Sequence, residues 1–130
     1  MNSGRIQENQ RETVSDMALM TIIQAINAAL NEEMEKDSSI VILGEDVGKD
    51  GGVFRATEGL YKKYGENRVI DTPLSELGIV GVSVGLSLGE MKPIAEIQFD
   101  GFVYGAFDQI ISHVSRLRNR SRGRYTCPVV

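Results

Sequence analysis

The stretch RVIDTPLSELGIVGVSVGLSLG, Arg68 to Gly89, decides the fold. Arg68, Val69 and Ile70 form a short run that reads as a strand, and it leads into Asp71-Thr72-Pro73, where the ladder must stop because proline has no N–H. Ser75 is an N-cap for a helix over Glu76–Leu88. Along that helix and at its end Gly78, Gly81, Gly85 and Gly89 recur every three or four positions and share one face. Each costs about 1 kcal/mol relative to alanine in a helix interior, so four together imply that something approaches the backbone closely. A membrane pair uses similar spacing, but this segment is too short and is bracketed by Glu76 and Glu90.

Working outward, Thr21–Lys36 (TIIQAINAALNEEMEK) puts Ile22, Ile23, Ile26, Ala29, Leu30 and Met34 on one helical stripe, with Asp37-Ser38-Ser39 after it. The run Ile40–Leu43 reads as a buried strand that stops at Gly44-Glu45-Asp46-Val47-Gly48. Lys49–Gly52 is loop, and a short helix is expected over Thr57–Tyr64, closed by Gly65. On the other side, Pro93–Phe99 (PIAEIQF) reads as a strand. Phe102–Arg120 reads as a second amphipathic helix with Val103, Phe107, Ile110, Ile111, Val114 and Leu117 inward, and Cys127–Val130 begins a further strand. Helices alternating with strands give an α/β fold, a mainly parallel sheet flanked by helices. Ligands of such sheets bind beyond the strands' C-terminal ends, which here are Gly44–Gly48, Asp71–Glu76 and Gln98–Phe102.

Composition narrows the function classes. The chain has 130 residues, 42% of them hydrophobic, which suits one domain with a real core. No apolar run approaches the roughly 20 residues of a membrane span. Met1–Asp16 is a polar arm with neither a secretory nor a transit layout, so a cytoplasmic location is expected. Cys127, a lone cysteine before Pro128, reads as core. Residues 1–100 carry 9 basic and 17 acidic side chains, whereas 101–130 carry 5 and 1. The basic side chains of that last part are Arg116, Arg118, Arg120, Arg122 and Arg124. Arginines near a helix C-terminus complement its dipole, so they do not call for a nucleic-acid partner. His113 is a packing histidine on the second amphipathic helix, since no nucleophile or orienting acid is signposted beside it. Phosphate-loop, dinucleotide, nucleophile-elbow and paired metal-ligand motifs are all missing. Glu45 and Asp46 read either as solvated loop residues or as part of a site. Glu76 differs, because it opens the glycine-striped helix at the ligand-binding edge, where capping and catalysis both place a carboxylate.

Four blocks in order, VILGEDVG (41–48), GGVFRATEGLYKKYG (51–65), RVIDTPLSELGIVGVSVGLSLG (68–89) and PIAEIQFDGFVYGAFDQI (93–110), carry a resemblance. The chain from about Met17 to Val130 resembles the β subunit of the thiamine-diphosphate-dependent decarboxylating component of 2-oxoacid dehydrogenase complexes, of the branched-chain (2-oxoisovalerate) or pyruvate type. The family's signature of Glu, four residues, then Gly-apolar-x-x-Gly-apolar is met by Glu76 and by Gly81-Val82-Ser83-Val84-Gly85-Leu86.

The resemblance implies a pyrimidine-binding fold over 17–130, partial in this chain, after the arm at 1–16. It implies that Glu76 hydrogen-bonds N1′ of the cofactor's aminopyrimidine, favouring the tautomer that removes the thiazolium C2 proton. A water-poor crevice helps a carboxyl group to hold the proton it must donate there. Leu74 and Phe102 are implied to pack on the pyrimidine ring, with Gln98 in the same pocket. The implied partners are an α subunit, in an α2β2 heterotetramer that also has a β–β contact, and the lipoyl acyltransferase component. The diphosphate and its Mg2+ belong to the α subunit, whose Gly-Asp-Gly motif is not in this sequence. The family's β subunit is more than twice as long, so the chain alone is expected to be inactive, with apolar faces at Val129, Val130 and the glycine-striped helix lacking their covers. Two alternatives stand beside this. One is a non-catalytic interaction module that pairs with α or β subunits. The other is a transketolase-like thiamine enzyme fragment, against which the GEDVG and EIQF blocks argue.

Overall fold

The computed structural model describes residues 19–130, and the arm expected at 1–16 lies outside them. Helix α1 spans Ile22–Lys36 and starts where Thr21 closes a capping box with Gln24. Thr21 Oγ1 accepts from the Gln24 amide at 3.2 Å, and Gln24 Oε1 accepts from the Thr21 amide at 2.8 Å. Only the C-terminal half of the expected stripe is covered: Met34 is buried and Leu30 packs against the core, but Ile22 and Ile26 face solvent.

That sheet has three parallel strands in the order β2-β1-β3: β1 is Ile40–Gly44, β2 is Val69–Asp71 and β3 is Lys92–Ala95. Every residue of β1 is buried, as an unbroken apolar run in a central parallel strand requires. Its registers pair Ile42 with Val69 on one side and with Ile94 on the other. Strand β3 stops at Ala95 rather than at Phe99. The Glu96 amide still reaches Leu43 O at 2.9 Å, but β1 has then ended at Gly44 and offers no further partner. Val130 continues the sheet past β3: its amide donates to Pro93 O and its carbonyl accepts from the Ala95 amide, the pattern of a parallel ladder. The strand expected over Cys127–Val130 is therefore reduced to this pairing, and Cys127 is half-buried rather than core.

Helix α2 is shorter than expected, Leu60–Tyr64, because the preceding segment is wound into turns by Gly51, Gly52 and Gly59 in the left-handed region. Gly65, with φ +81°, ends it as anticipated, and its N–H caps Tyr61 O.

Arg68 fastens these elements together. Its guanidinium donates to Met34 O, Asp37 O and Ile40 O at 2.7–2.9 Å and lies over the Tyr64 ring. Arg68→Ala strips the guanidinium from three carbonyls, of which Asp37 O keeps only the Ile40 amide at 3.4 Å, and is expected to cost about 2–3 kcal/mol. Arg68→Lys should recover part of that. Urea unfolding measures both, and an unchanged midpoint for Arg68→Ala would mean that water replaces the guanidinium at no cost.

Helix α3 runs Glu76–Leu88, the bounds read from the sequence, with Ser75 Oγ accepting from the Gly78 amide. It buries Ile79, Val80, Ser83 and Ser87 while Leu77, Val82 and Leu88 stand exposed. Both buried serines bond the carbonyl one turn back, Ser83 to Ile79 and Ser87 to Ser83, each at 2.9 Å. Of the glycine stripe, Gly81 is approached by the Gln109 side chain, whereas nothing lies within 4 Å of a Cβ built at Gly85.

The second amphipathic helix is not continuous. Asp100–Ala106 is a 3-10 helix, Phe107–Gln109 is α, Ile110–Val114 is a π turn, and Leu117–Arg120 is α again. Gly101 and Gly105 are poor α formers and fall in the tightly wound part. Ala106 is its one fully buried residue; Phe107 and Ile111, read as inward, are exposed. Among the described residues, no helix is long and apolar enough to cross a membrane.

Candidate functional site

The parallel registers bring the C-terminal ends of β1, β2 and β3 side by side, so three loops meet at one edge. After β1 comes Glu45–Gly48, with Asp46 at φ +57°, a conformation that a short acidic side chain tolerates. After β2, Asp71–Ser75 delivers Leu74 to the surface, 79% exposed, and then Glu76 as the first residue of α3. After β3 the chain bends through Gln98 and Phe99 into the 3-10 segment with Phe102.

Glu76 leans on that 3-10 segment. A Cβ built at Gly105 would sit 3.5 Å from Glu76 Oε2, so the carboxylate lies against bare backbone there. Ser75, not Glu76, provides the helix cap, and the Glu76 carboxylate makes no hydrogen bond or ion pair among the described residues. Phe102 is half exposed and is held edge-on by Phe99 at 5.3 Å, which in turn meets Phe54 at 5.6 Å. Gln98 belongs to the neighbouring group: its Nε2 reaches Glu45 O and Asp46 Oδ2, each at 3.4 Å.

Two carboxyl groups in this region were not both legible. Glu45 Oε1 and Glu96 Oε2 are buried and have no hydrogen-bond partner among the described residues, as is true of Thr72 Oγ1. Burial pushes the Glu96 carboxyl up from its ordinary value, and the negative charges of Glu45 and Asp46 push it the same way. In PIAEIQF the alternation alone reads Glu96 as one more polar residue. Its signal was its place between apolar neighbours at a strand's C-terminal end.

The folded state holds the Glu96 proton more tightly than the unfolded chain does. The group therefore weakens folding above the ordinary carboxylate range, and this loss vanishes as pH falls through the raised value. Glu96→Gln is expected to raise Tm near neutral pH and to lose that advantage in acid. A pH series of thermal melts checks this, and a pH-independent difference would contradict it.

His113 lies half-buried on the π turn, and its side chain makes no hydrogen bond among the described residues. Arg116–Arg124 surround the last helical turn, where Arg120 donates to Ser112 O. An open depression of about 390 Å³, lined in part by Ser87, Lys92, Arg124 and Tyr125, sits at the N-terminal end of β3, away from the carboxylates.

The described residues form a parallel α/β layer whose strands' C-terminal edge, where such sheets bind their ligands, carries the Glu76 carboxylate and the exposed Leu74 and Phe102. The model of the family described as "Transketolase, pyrimidine binding domain" matches residues 18–130, and the chain belongs to that family, a thiamine diphosphate family. It is 56% identical over 114 residues to the pyruvate dehydrogenase E1 component subunit beta of Acholeplasma laidlawii, covering 88% of this chain and 35% of that protein. It is 53% identical over 114 residues to the 2-oxoisovalerate dehydrogenase subunit beta of Bacillus subtilis, with the same 88% and 35% coverage. The Bacillus subtilis pyruvate dehydrogenase E1 component subunit beta is 55% identical over 113 residues, at 87% and 35%. The chain thus spans about a third of the length of these curated relatives.

Proposed function

We propose that this chain supplies the aminopyrimidine half of a thiamine diphosphate site in the decarboxylating component of a 2-oxoacid dehydrogenase, acting as β-subunit sequence. The observation that carries this is the Glu76 carboxylate, presented at the start of α3 with no hydrogen-bond or ion-pair partner among the described residues.

The residues fit such a group. Leu74 and Phe102 offer exposed apolar surface for a flat heteroaromatic ring, and Phe99 holds the Phe102 ring in orientation. Glu76 provides the carboxylate that a ring nitrogen needs, and the Gln98 amide stands on the adjoining loop with Glu45 and Asp46. When bound, thiamine diphosphate supplies the carbanion chemistry that releases CO2 from a 2-oxoacid. Glu76 holds and returns a proton at the pyrimidine N1′, Leu74 and Phe102 orient the ring and keep water from its faces, and Gln98 lines the pocket.

Glu76 is only half-buried in this chain, and the relatives' names describe β subunits, so the other wall belongs to an α subunit in an α2β2 assembly. That subunit would hold the diphosphate and Mg2+. The acyl product passes to a lipoyl acyltransferase component, and the assembly is cytoplasmic. Domain limits of 1–16 for an arm and 17–130 for the pyrimidine-binding part go with this assignment.

Phe102→Ala in the assembled enzyme is expected to weaken thiamine diphosphate binding about tenfold, the worth of one aromatic contact. Titration of the cofactor-free assembly measures it. Unchanged affinity would remove Phe102 from the site, and an assembly that binds no thiamine diphosphate at all would leave the interaction-module alternative.

A further inference from the structure

Asp71 does something that neither the family motif nor the proposed site accounts for. It ends β2 in register with Gly44, the last residue of β1, and the Thr72 amide donates to Gly44 O at 2.9 Å. From there the Asp71 carboxylate reaches across the sheet edge. Oδ1 accepts from the Gly48 amide at 2.5 Å and Oδ2 from the Lys49 amide at 3.3 Å. A Cβ on Gly48 would fall 2.6 Å from Oδ2, so only glycine admits this approach. The same loop is tied from its other side, where Thr57 Oγ1 donates to Val47 O at 2.7 Å.

Glu45 and Asp46 thus sit in a loop fixed at Val47, Gly48 and Lys49. The chain that leaves Asp71 delivers Leu74 three residues on and Glu76 five residues on. A charge-assisted bond to backbone N–H groups is about twice as strong as a neutral one. A misplacement of about 1 Å at a reacting group costs roughly a hundredfold in rate.

We propose that Asp71 is a positioning residue: by clamping Gly48 and Lys49 it sets the path of the Leu74–Glu76 segment, and so the place of the Glu76 carboxylate. This rests on the cofactor reading given above, and the test separates the two. Asp71→Asn keeps the size of the side chain and one acceptor oxygen, but removes the charge and sets an NH2 donor against one of the two backbone N–H groups. In the assembled enzyme saturated with thiamine diphosphate, the variant should slow exchange of the cofactor's C2 proton with deuterated water by tenfold or more. Amide exchange in the 44–52 segment should speed up, while sedimentation shows the same assembly.

Faster amide exchange with unchanged C2 exchange would make the clamp merely structural and overturn the proposal, and unchanged amide exchange would overturn it as well. Gly48→Ala is the second variant. It leaves the Asp71 charge in place but pushes the carboxylate off its seat, and it should reproduce the defect, with the double variant no worse than either single one. Loss of assembly in both variants would assign Asp71 to folding and defeat the proposal. Glu76→Gln is measured alongside. If it leaves C2 exchange intact, the cofactor reading itself fails; if it slows exchange while Asp71→Asn does not, only the positioning role fails.

Discussion

Glu76→Gln in the assembled enzyme is expected to lower turnover by about 10²–10⁴-fold, the range lost when a positioned proton-transfer group is removed. Folding should hardly notice. Ser75 provides the cap of α3, the Glu76 carboxylate has no partner among the described residues, and Gln preserves its volume. Gln keeps one oxygen of the two, but an amide cannot hold and return a proton at a ring nitrogen. Turnover with a 2-oxoacid and sedimentation of the assembly are measured together. Normal turnover would remove Glu76 from the chemistry, whereas lost turnover with lost assembly would reassign it to structure.

The largest effect on stability is expected at Ile42. It is 1% exposed, lies on the central strand and pairs on both sides, with Val69 and Ile94. Ile42→Ala removes three carbons from a site that α1, α2 and both neighbouring strands hold open, and should cost about 3–4 kcal/mol. Ile22→Ala removes the same carbons from a residue 79% exposed and should change stability by less than about 0.5 kcal/mol. Urea unfolding of both variants gives the contrast. Similar losses at the two positions would mean that the first turn of α1 is covered in solution.

The parts of the fold that the sequence made legible are those written in one short local code. Ser75, the glycine spacing and the Pro73 break gave α3 its bounds, and the unbroken run at 40–43 gave a strand buried on both faces. What could not be read depends on partners far along the chain. Strand β3 ends where β1 ends, a property of Gly44 and not of Pro93–Phe99. The segment after Asp100 keeps the apolar spacing of a helix while its hydrogen bonds shift from 3-10 to α to π, because periodicity reports which face is apolar and not how the backbone is wound. Of the candidate site, Glu76, Leu74, Gln98 and Phe102 all lie on the expected loops. The burial of Glu96 and the bonds of Asp71 to Gly48 and Lys49 were not legible, because they depend on what the register places opposite them.

The strand order has a consequence for how the protein is made. Strand β1 is synthesised first, yet it is the central strand, and its partners at Val69 and Ile94 follow Ile42 by 27 and 52 residues. Until they arrive, Ile40–Leu43 has two open edges and no hydrogen-bonding partner, a short apolar β-branched run of the kind that pairs with other chains. Both pairings also close long loops before they gain anything, which makes folding slow. A growing chain therefore carries an aggregation-prone segment through a long wait, and its yield in a cell should depend on chaperone supply and synthesis rate more than on the stability of the finished sheet.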